Sequence, residues 1–274
     1  MAIEPKDAEQ RRILRELKQQ GQATLTWGLP NPATEAAVIG VGLLMRDQLA
    51  ERQDGSGASK ATKVAAELVD QTVGRMPQAA GFACRAGCSF CCHSAVAVSA
   101  PEAFGIARML TEQDPPTAML SRDQAVARSH ALRPASLQAT LERQGPCAYL
   151  VDDRCSVHSA RPISCRQYVS LSVEACEAAF NQQGQGFPYV NGAANVGNVS
   201  RSMLLGAARS LELDANIYEL ASAVAVALET PDAERRWLAG EDVLAGALRL
   251  PQPPQMQTSV ERWSPMLKTF AEGV

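Results

Sequence analysis

The chain has 274 residues, of which 46% are apolar and 20% are charged, and its formal net charge is −3. This length can bury a sizeable core, the composition excludes a disordered chain, and the near-neutral charge gives no basic field for nucleic acid. The apolar runs are too short for a membrane span and the charged first residues lack the apolar stretch of a secretory signal, so we expect a cytoplasmic protein without a nucleic-acid or membrane partner.

Three amphipathic helices are predicted before the first cysteine, over residues 7–20, 32–53 and 61–76. In the second helix, an apolar stripe at helical spacing consists of Val38, Val41, Met45 and Leu49. Gly40 and Gly42 lie in the same helix with no strand before them. We therefore interpret them as a helix-packing contact rather than a nucleotide-binding loop.

All eight cysteines lie within residues 84–176, which we call the cysteine segment. The first group has the tight spacing Cys84-x3-Cys88-x2-Cys91-Cys92. Spacings of two or three residues let a turn or a helix start aim several sulfurs at one point. One helix face cannot surround a tetrahedral ion, so this group needs ligands from further along the chain.

A helical insert is predicted between the two groups of cysteines. It begins with a helix over residues 101–110, after Ser99, and continues with helices over residues 121–130 and 136–143. We expect this insert to fold back and bring the two groups together.

The second cysteine group is more widely spaced and consists of Cys147, Cys155, Cys165 and Cys176. Two short apolar stretches flank Asp152-Asp153, which predicts a small β-hairpin with Cys147 and Cys155 near its arms. Four sulfurs in each group suit two four-ligand sites, or one site with a reactive thiol pair.

The positively charged residues of the cysteine segment are all arginines, because all five lysines of the chain lie outside it. We predict that Ser159 caps a helix with Pro162 at an early position, and that this helix start, Arg161 and Arg166 offset thiolate charge. A dication held by four thiolates has a net charge of about −2, which the protein must balance. The alternative is that these arginines form surface ion pairs with Asp152, Asp153 and Glu174.

Helices are predicted again after the glycine-rich stretch 184–197, which we interpret as a connector rather than a ligand loop. They span residues 198–211, 217–228, 231–239 and 241–248. Prolines after position 250 then predict a tail that docks through one or two helical turns. The C-terminal helices are also a candidate surface for a protein partner.

Metal ligation explains the clustered thiols better than the alternatives. A disulfide framework suits short secreted chains, and isolated buried thiols have no reason to cluster. The predicted metal ligands are Cys84, Cys88, Cys91, Cys92, Cys147, Cys155, Cys165 and Cys176.

These residues resemble the CxxxCxxCC cysteine-cluster family, the YkgJ-like zinc- or iron-chelating domain. Each cysteine has a counterpart in the family pattern, and Arg161-Pro162-x2-Cys165-Arg166 matches its RPxxCR run. The resemblance covers about residues 81–180 and implies zinc or iron, the latter as an iron–sulfur cluster such as [4Fe–4S]. The family includes the flagellin lysine N-methylase, so a protein-modifying enzyme is an alternative by analogy.

Two histidines lie beside the clustered cysteines, His93 and His158, the latter where the family often has Tyr. Imidazole is a good ligand for zinc or iron. With eight thiols nearby, we expect both rings to orient ligands or to pack, and direct ligation is the alternative.

The same cysteines also fit a competing motif, because Cys84-x3-Cys88-x-Phe90-Cys91 matches the signature of radical S-adenosylmethionine enzymes. Those enzymes build a parallel-strand barrel, whereas the flanking sequence here shows helical periodicity. The remaining cysteines are also surplus to that motif, so we do not favour it.

We therefore expect a mainly α chain, an irregular helical domain with a small β-hairpin, organised around a cysteine-ligated metal or iron–sulfur centre. The expected divisions are a helical extension at 1–80, the cysteine-cluster domain at 81–180, a helical region at 190–250 and a proline-rich tail at 251–274. The leading hypothesis is a metal-binding protein with zinc or an iron–sulfur cluster in one or two sites and a structural or redox role. The alternatives are a metal-dependent protein-modifying enzyme, or a metal carrier or sensor in which Cys91-Cys92 exchanges the ion.

Overall fold

A computed structural model describes residues 8–51, 54–85, 87–112, 119–120, 122–124, 126–127, 131, 138, 145–182 and 186–272. The predicted insert helices over residues 121–130 and 136–143 lie largely outside these residues. Within the first of them, residues 122–124 and 126–127 are helical. The course of the insert therefore stays a prediction.

The first part of the chain forms three helices, α1 (Ala8–Trp27), α2 (Glu35–Ala50) and α3 (Gly57–Gly74), which confirms the three predicted helices. Thr34 caps α2, because its side chain accepts a hydrogen bond from the Ala37 N–H at 3.3 Å. The predicted apolar stripe of α2 is buried, with Val41, Met45 and Leu49 fully so.

The two glycines of α2 are packing contacts, as predicted. A side chain at Gly40 would meet the Leu17 carbonyl oxygen of α1 at 2.1 Å. A side chain at Gly42 would meet the Met203 Cε atom at 2.2 Å. At Gly40 the α1 backbone therefore approaches α2 more closely than any larger residue would allow, and at Gly42 the Met203 side chain fills the space that a larger residue would occupy.

The first cysteine group leads into a short strand, β1 (Ala97–Ser99), and then into α4 (Ala100–Thr111). Ser99 is the N-cap of α4 and forms a capping box with Glu102. This start confirms the helix that was predicted after Ser99.

The predicted hairpin is present as β2 (Leu150–Val151) and β3 (Arg154–Cys155), which pair antiparallel. Its turn residues Asp152 and Asp153 have φ values of 47° and 58°, the left-handed region that a two-residue hairpin turn requires. Aspartate tolerates this region better than most side chains do, so the sequence suits the turn.

Two short helices follow the hairpin, α5 (Ile163–Gln167) and α6 (Val173–Asn181). The N-cap of α5 is Pro162, so the predicted cap at Ser159 is wrong. Ser159 lies instead in a 3-10 turn, His158–Ala160, that precedes the proline. The chain starts α5 later because a proline has no N–H to lose at a helix start and its fixed φ suits that position.

A longer helix, α7 (Asn191–Ser210), begins inside the glycine-rich stretch that we interpreted as a connector, so that boundary was wrong. Its first turns pack inward, with Ala193 fully buried. At Gly197 an added side chain would meet the Gln167 side chain of α5 at 1.9 Å. The glycine therefore allows close packing between α7 and α5 rather than chain flexibility.

A three-stranded antiparallel sheet with the order β1-β4-β5 joins the two halves of the chain. It is completed by β4 (Ile217–Glu219) and β5 (Arg249–Leu250), which the sequence did not predict. The helix predicted over residues 217–228 therefore begins only at α8 (Leu220–Glu229). Pairing with β1 on one side and β5 on the other holds residues 217–219, the first three of the predicted helix, in an extended conformation.

After α8, the short helix α9 (Ala233–Leu238) confirms one prediction, whereas the predicted helix over residues 241–248 is wrong. That stretch forms turns with Val243 and Leu244 buried. Gly240, at φ 95°, ends α9 in the left-handed region and redirects the chain.

The predicted tail is a full helix, α10 (Pro254–Glu272). Pro254 is its first residue, where a missing N–H costs no hydrogen bond, so the prolines start this helix rather than prevent it. Its buried residues follow helical spacing and are Met256, Val260, Ser264 and Leu267.

The core lies where α2, α3, α7 and α10 pack on one another, and we call these four helices the helical platform. α4 packs on α3, and α5 packs on both α3 and α7. Tyr149 of the cysteine segment is fully buried in the same apolar core. The protein is mainly helical, as predicted, with its short strands in two small sheets. Among the described residues, no helix combines the length and apolarity that crossing a membrane requires.

Candidate metal centre

The first cysteines lie in irregular backbone rather than in an α-helix. The Ser170 N–H donates to the Cys84 Sγ atom at 3.3 Å, and the Ala83 N–H donates to the Ser170 carbonyl at 2.8 Å. Cys88 follows Gly87, whose φ of 87° favours glycine. An N–H aimed at sulfur favours the thiolate, which is the form that binds metal.

Cys91 and Cys92 lie in one 3-10 turn, Phe90–His93. The chain that returns from the insert runs beside this turn. The Cys147 N–H donates to the Cys92 carbonyl at 2.8 Å, and the Gly145 N–H donates to the carbonyl of the last residue in the turn at 2.9 Å. The two cysteine groups therefore meet through backbone hydrogen bonds.

Helix α6 covers another side of the same turn. The Phe180 ring lies 5.8 Å from the Phe90 ring and 4.9 Å from the His93 ring, measured between centroids. Cys176 lies four residues before Phe180, on the same side of α6, and is buried. The aromatic contacts therefore place Cys176 beside the first cysteine group.

Cys165 lies in α5, whose start is held by a buried carboxylate that the sequence reasoning missed. The Ile163 N–H donates to Glu102 Oε1 at 2.8 Å, while the Ser99 N–H and hydroxyl both donate to Glu102 Oε2 at 2.8 Å. The Ser99-x-x-Glu102 pattern could have indicated the cap of α4. No local signal links Glu102 to Ile163, since that contact is made by the tertiary fold.

None of the eight cysteines, all of which lie among the described residues, forms a disulfide. Cys84, Cys91 and Cys165 are exposed to water, yet surrounding protein raises the pKa of Cys84 and Cys165 by desolvation. These side chains are therefore accessible to water at one side while protein atoms surround the others. Desolvation also raises the pKa of the Cys88 and Cys155 thiols. Metal binding at these thiols must therefore displace protons.

The adjacent pair Cys91-Cys92 behaves differently from the other thiols. The Cys92 thiol donates a hydrogen bond to Cys91, which lowers the pKa of Cys91 to about 7 and raises the pKa of Cys92. Cys91 is therefore substantially ionised near neutral pH, and Cys92 keeps its proton until a metal replaces it.

The two arginines predicted to offset thiolate charge have different surroundings. Arg161 interacts electrostatically with four of the cysteines, which are Cys84, Cys91, Cys155 and Cys165. Its Nε atom is buried and has no hydrogen-bond partner among the described residues. An unpaired buried donor of this kind is costly unless a partner binds it, and a thiolate or sulfide is a suitable acceptor.

The side chain of Arg166 forms an ion pair and hydrogen bonds with other groups of the protein. It pairs with Asp70 of α3 and donates to the carbonyls of Arg161 at 2.9 Å and Ser159 at 2.8 Å. Arg166 does not pair with the predicted alternative partners Asp152, Asp153 and Glu174. Its carboxylate partner is Asp70. Of these two arginines, Arg161 therefore keeps an unused donor near the thiols.

The two histidines make contacts with the protein through one ring nitrogen each. His93 Nδ1 lies 3.1 Å from the Ser89 carbonyl oxygen. His158 Nε2 lies 2.8 Å from Arg161 Nη1. Burial lowers the pKa of His158 most, and the Arg161 charge lowers it further. The neutral ring can therefore accept a hydrogen bond from Arg161 Nη1.

The structure gathers the eight cysteines around the turn, the hairpin, α5 and α6. Within the described part of the chain, however, no three or more Cys, His, Asp or Glu side chains are arranged so that they could hold a metal ion. The sulfur of a cysteine moves with one torsion, χ1. The backbone therefore brings the predicted ligands to one region, where the described side chains are not arranged as a coordination site.

Comparison with known proteins gives one match. Residues 83–184, a little over a third of the chain, match the family model CxxCxxCC, described as "Putative zinc- or iron-chelating domain". No curated protein and no solved structure matches the chain. Residues 83–184 are therefore similar to the CxxCxxCC family, and this match is the one that the cysteine spacing predicted.

Proposed function

We propose that this chain is a metal-binding protein in which clustered thiolates hold zinc or an iron–sulfur cluster, with a structural or redox role. The proposed ligands are Cys84, Cys88, Cys91, Cys92, Cys147, Cys155, Cys165 and Cys176. The observation that carries this proposal is that backbone contacts bring the cysteine-bearing segments together, with the buried, unpaired Nε atom of Arg161 beside four of the thiols.

The donor chemistry of this region fits thiophilic metals. Cysteine thiolates select zinc and iron–sulfur clusters, whereas magnesium and calcium prefer oxygen ligands. The Cys84 sulfur already accepts a backbone N–H, and Arg161 supplies a positive charge beside four of the thiols. When bound, zinc would cross-link the loops, and an iron–sulfur cluster would add electron transfer.

A structural role follows from how little apolar surface the first cysteine group buries. No residue of the turn Phe90–His93 is buried, whereas the platform helices are densely packed. A bound metal would supply the cross-link that apolar burial does not supply there. We therefore propose that the cysteine-cluster domain is the functional unit and that the platform positions it.

We place the protein in the cytoplasm, because thiols that serve as ligands must stay reduced. A protein partner on the C-terminal helices stays a prediction. α7 and α10 bury their apolar stripes against each other and α2, so a partner would meet their outer faces.

The test is anaerobic purification followed by metal analysis, acid-labile sulfide analysis and a visible spectrum. An iron–sulfur cluster would give a brown protein that contains sulfide and absorbs near about 400 nm. A zinc site would give a colourless protein with stoichiometric zinc. Protein that is folded and reduced but binds neither metal after reconstitution would contradict the proposal.

A metal carrier or sensor is the second candidate, favoured by the Cys91-Cys92 pair. Cys91 is exposed and its pKa is about 7, so a competing ligand could reach an ionised sulfur there. A carrier should release metal to a small thiol chelator within minutes, with Cys91→Ser changing the rate. Retention of metal over hours would instead support the structural role.

The fold favours these candidates over a radical S-adenosylmethionine enzyme. Such enzymes use a barrel of parallel strands, whereas every strand among the described residues is two or three residues long and antiparallel. A protein-modifying activity like that of the flagellin lysine methylase stays a prediction from the family resemblance.

A further inference from the structure

The hairpin β2–β3 runs along the turn Phe90–His93, with contacts at its base and at its tip, and we call this hairpin the strap. At the base, the Cys147 N–H donates to the Cys92 carbonyl at 2.8 Å. At the tip, Asp153 Oδ1 accepts a hydrogen bond at 2.7 Å from the hydroxyl of Ser89, the residue before the turn. The strap is therefore attached beside both ends of the turn.

The base of the strap is held by burial as well as by hydrogen bonds. Ala148 and Tyr149 lie just before β2, Val157 lies shortly after β3, and all three are buried. The Ser156 N–H donates to the Tyr149 carbonyl at 2.8 Å and joins the two sides of the base. Because Tyr149 belongs to the main apolar core, movement of the base would disturb that core.

The tip of the strap lacks such support, because residues 151–154 are all exposed. Among the described residues, the bond from Ser89 to Asp153 is the one hydrogen bond or ion pair that the side chains of these four residues make. A single hydrogen bond of this kind shifts an equilibrium by about 2–10-fold. The tip can therefore open while the base stays in place.

Ser89 connects the tip to the backbone that carries the adjacent cysteines. It occupies the N-cap position of the turn, where a serine side chain usually accepts a hydrogen bond from a backbone N–H. Its side chain makes no such bond here, and its hydroxyl donates to Asp153. The Ser89 carbonyl accepts the Cys92 N–H at 2.9 Å and lies 3.1 Å from His93 Nδ1. One residue thus contacts both the turn and the strap.

We propose that the strap is a hinged cover over the turn, with a fixed base and with the hydrogen bond between Ser89 and Asp153 as a latch that can open. Opening of the latch lets the tip move away from the turn. This movement exposes two half-buried thiols, Cys92 on the turn and Cys155 on the strap. The device goes beyond the proposed function, because it controls access to these thiols whether or not they hold a metal.

The test is the rate at which iodoacetamide labels Cys92 and Cys155 in the reduced, metal-free full-length chain, read by mass spectrometry. Asp153→Gly should raise both rates about 2–10-fold, because it removes the acceptor of the latch while glycine suits the φ of 58° at this position. Asp152→Gly is the matched control, since it changes the same turn at φ 47° and removes no side-chain hydrogen bond among the described residues. Its rates should equal those of the wild type.

Variants of the donor separate the latch from an effect of charge. Ser89→Ala removes the donor without changing the charge of the strap, so it should raise the same rates by a similar factor. The double variant Ser89→Ala/Asp153→Gly should label no faster than either single variant, because all three lose one and the same bond. Asp153→Asn keeps an acceptor oxygen and should label close to the wild-type rate.

Three results would overturn the proposal. The first is unchanged labelling in both Asp153→Gly and Ser89→Ala, and the second is equal acceleration by Asp152→Gly. The third is a double variant whose effect is the product of the two single effects, since the two residues would then act separately. These measurements need no metal, so their failure is distinguishable from a failure of the proposed function, which metal analysis decides.

A measurement on the wild-type chain covers variants that fail to fold. The same labelling is followed at urea concentrations below the unfolding transition, with the buried Cys176 of α6 as the reference. Local opening of the tip should label Cys155 at a rate that changes little with urea, while Cys176 stays protected. Labelling of Cys155 only together with Cys176 would contradict the proposal, because the strap would then open only with the rest of the cysteine segment.

Discussion

The helical platform and the loops that carry the cysteines are held together by different interactions. In α2, ten of the 16 residues are buried, and its stripe packs against α3, α7 and α10. In the turn Phe90–His93 no residue is buried, and hydrogen bonds and aromatic contacts hold it in place. Apolar burial therefore holds the platform, whereas polar and aromatic contacts hold the turn, where we expect a bound metal to add a cross-link.

This difference predicts that each region responds to a different perturbation. Apolar truncation should weaken the platform whether or not metal is bound, since burial of apolar surface stabilises it. Loss of a thiol should matter only for the metal-bound protein. Two further residues, Glu102 at the junction of α4 and α5 and Arg161 beside the thiols, test where the boundary lies.

The largest effect is expected for Cys88→Ser, which removes a sulfur ligand. Binding free energies of structural zinc are on the order of 10 kcal/mol and couple to folding, so the variant should lose metal and melt close to the chelated wild type. Metal analysis and thermal unfolding check this, with Ser94→Ala as the control outside the ligand set. Unchanged metal content in a soluble variant would contradict the assignment.

The next effect is expected in the platform, for Leu43→Ala. Leu43 is fully buried in α2, and truncation of such a side chain typically costs about 2–5 kcal/mol. Urea unfolding should show a similar loss with and without metal, and the metal content per folded chain should not change. Loss of metal from folded Leu43→Ala protein would show that the two regions are not separable.

A smaller effect is expected for Glu102→Gln, at the junction of α4 and α5. The carboxylate accepts hydrogen bonds from Ser99 and Ile163, and an amide cannot accept at both of its positions. One buried N–H is left unpaired, which costs about 1–3 kcal/mol. Urea unfolding measures the loss, with the exposed Glu112→Gln at the end of α4 as its matched control. Equal stability of the Glu102→Gln and Glu112→Gln variants would contradict this prediction.

The smallest effect is expected for Arg161→Gln, which removes the charge beside the thiols. Groups that support metal ligands typically change affinity by about 10–100-fold, so chelator competition should show a loss in that range. Unfolding of the metal-free protein should change little, because the Nε atom has no hydrogen-bond partner among the described residues and the Nη1 contact with His158 lies at the exposed surface. Arg154→Gln, on the exposed hairpin, is the control. Equal affinities for the two variants would exclude the proposed role of Arg161.

The parts of the fold that sequence could predict are those decided by local pattern. The stripe of α2, the Ser99 cap of α4 and the hairpin at Asp152-Asp153 each follow from residues that are close in sequence. Errors came where distant partners decide the structure. β4 is extended because it lies between two other strands, and α10 forms because its buried face packs on α7.

The candidate site shows the same division. Cysteine spacing predicted the family and the gathering of the thiols, but it could not show that Cys176 lies beside Cys84, since that depends on how α6 docks. It also could not separate Arg161 from Arg166, which differ because only Arg166 has Asp70 as a partner. Spacing identifies candidate ligands, and tertiary packing determines which of them meet.

X-ray absorption spectroscopy at the metal edge tests the central claim most directly, because it reports the atoms bound to the metal. The reconstituted wild-type protein should show a shell of four sulfur atoms per metal, at about 2.3 Å if the metal is zinc. A shell of nitrogen or oxygen atoms at about 2.0–2.2 Å, without sulfur, would contradict the claim that the clustered cysteines hold the metal.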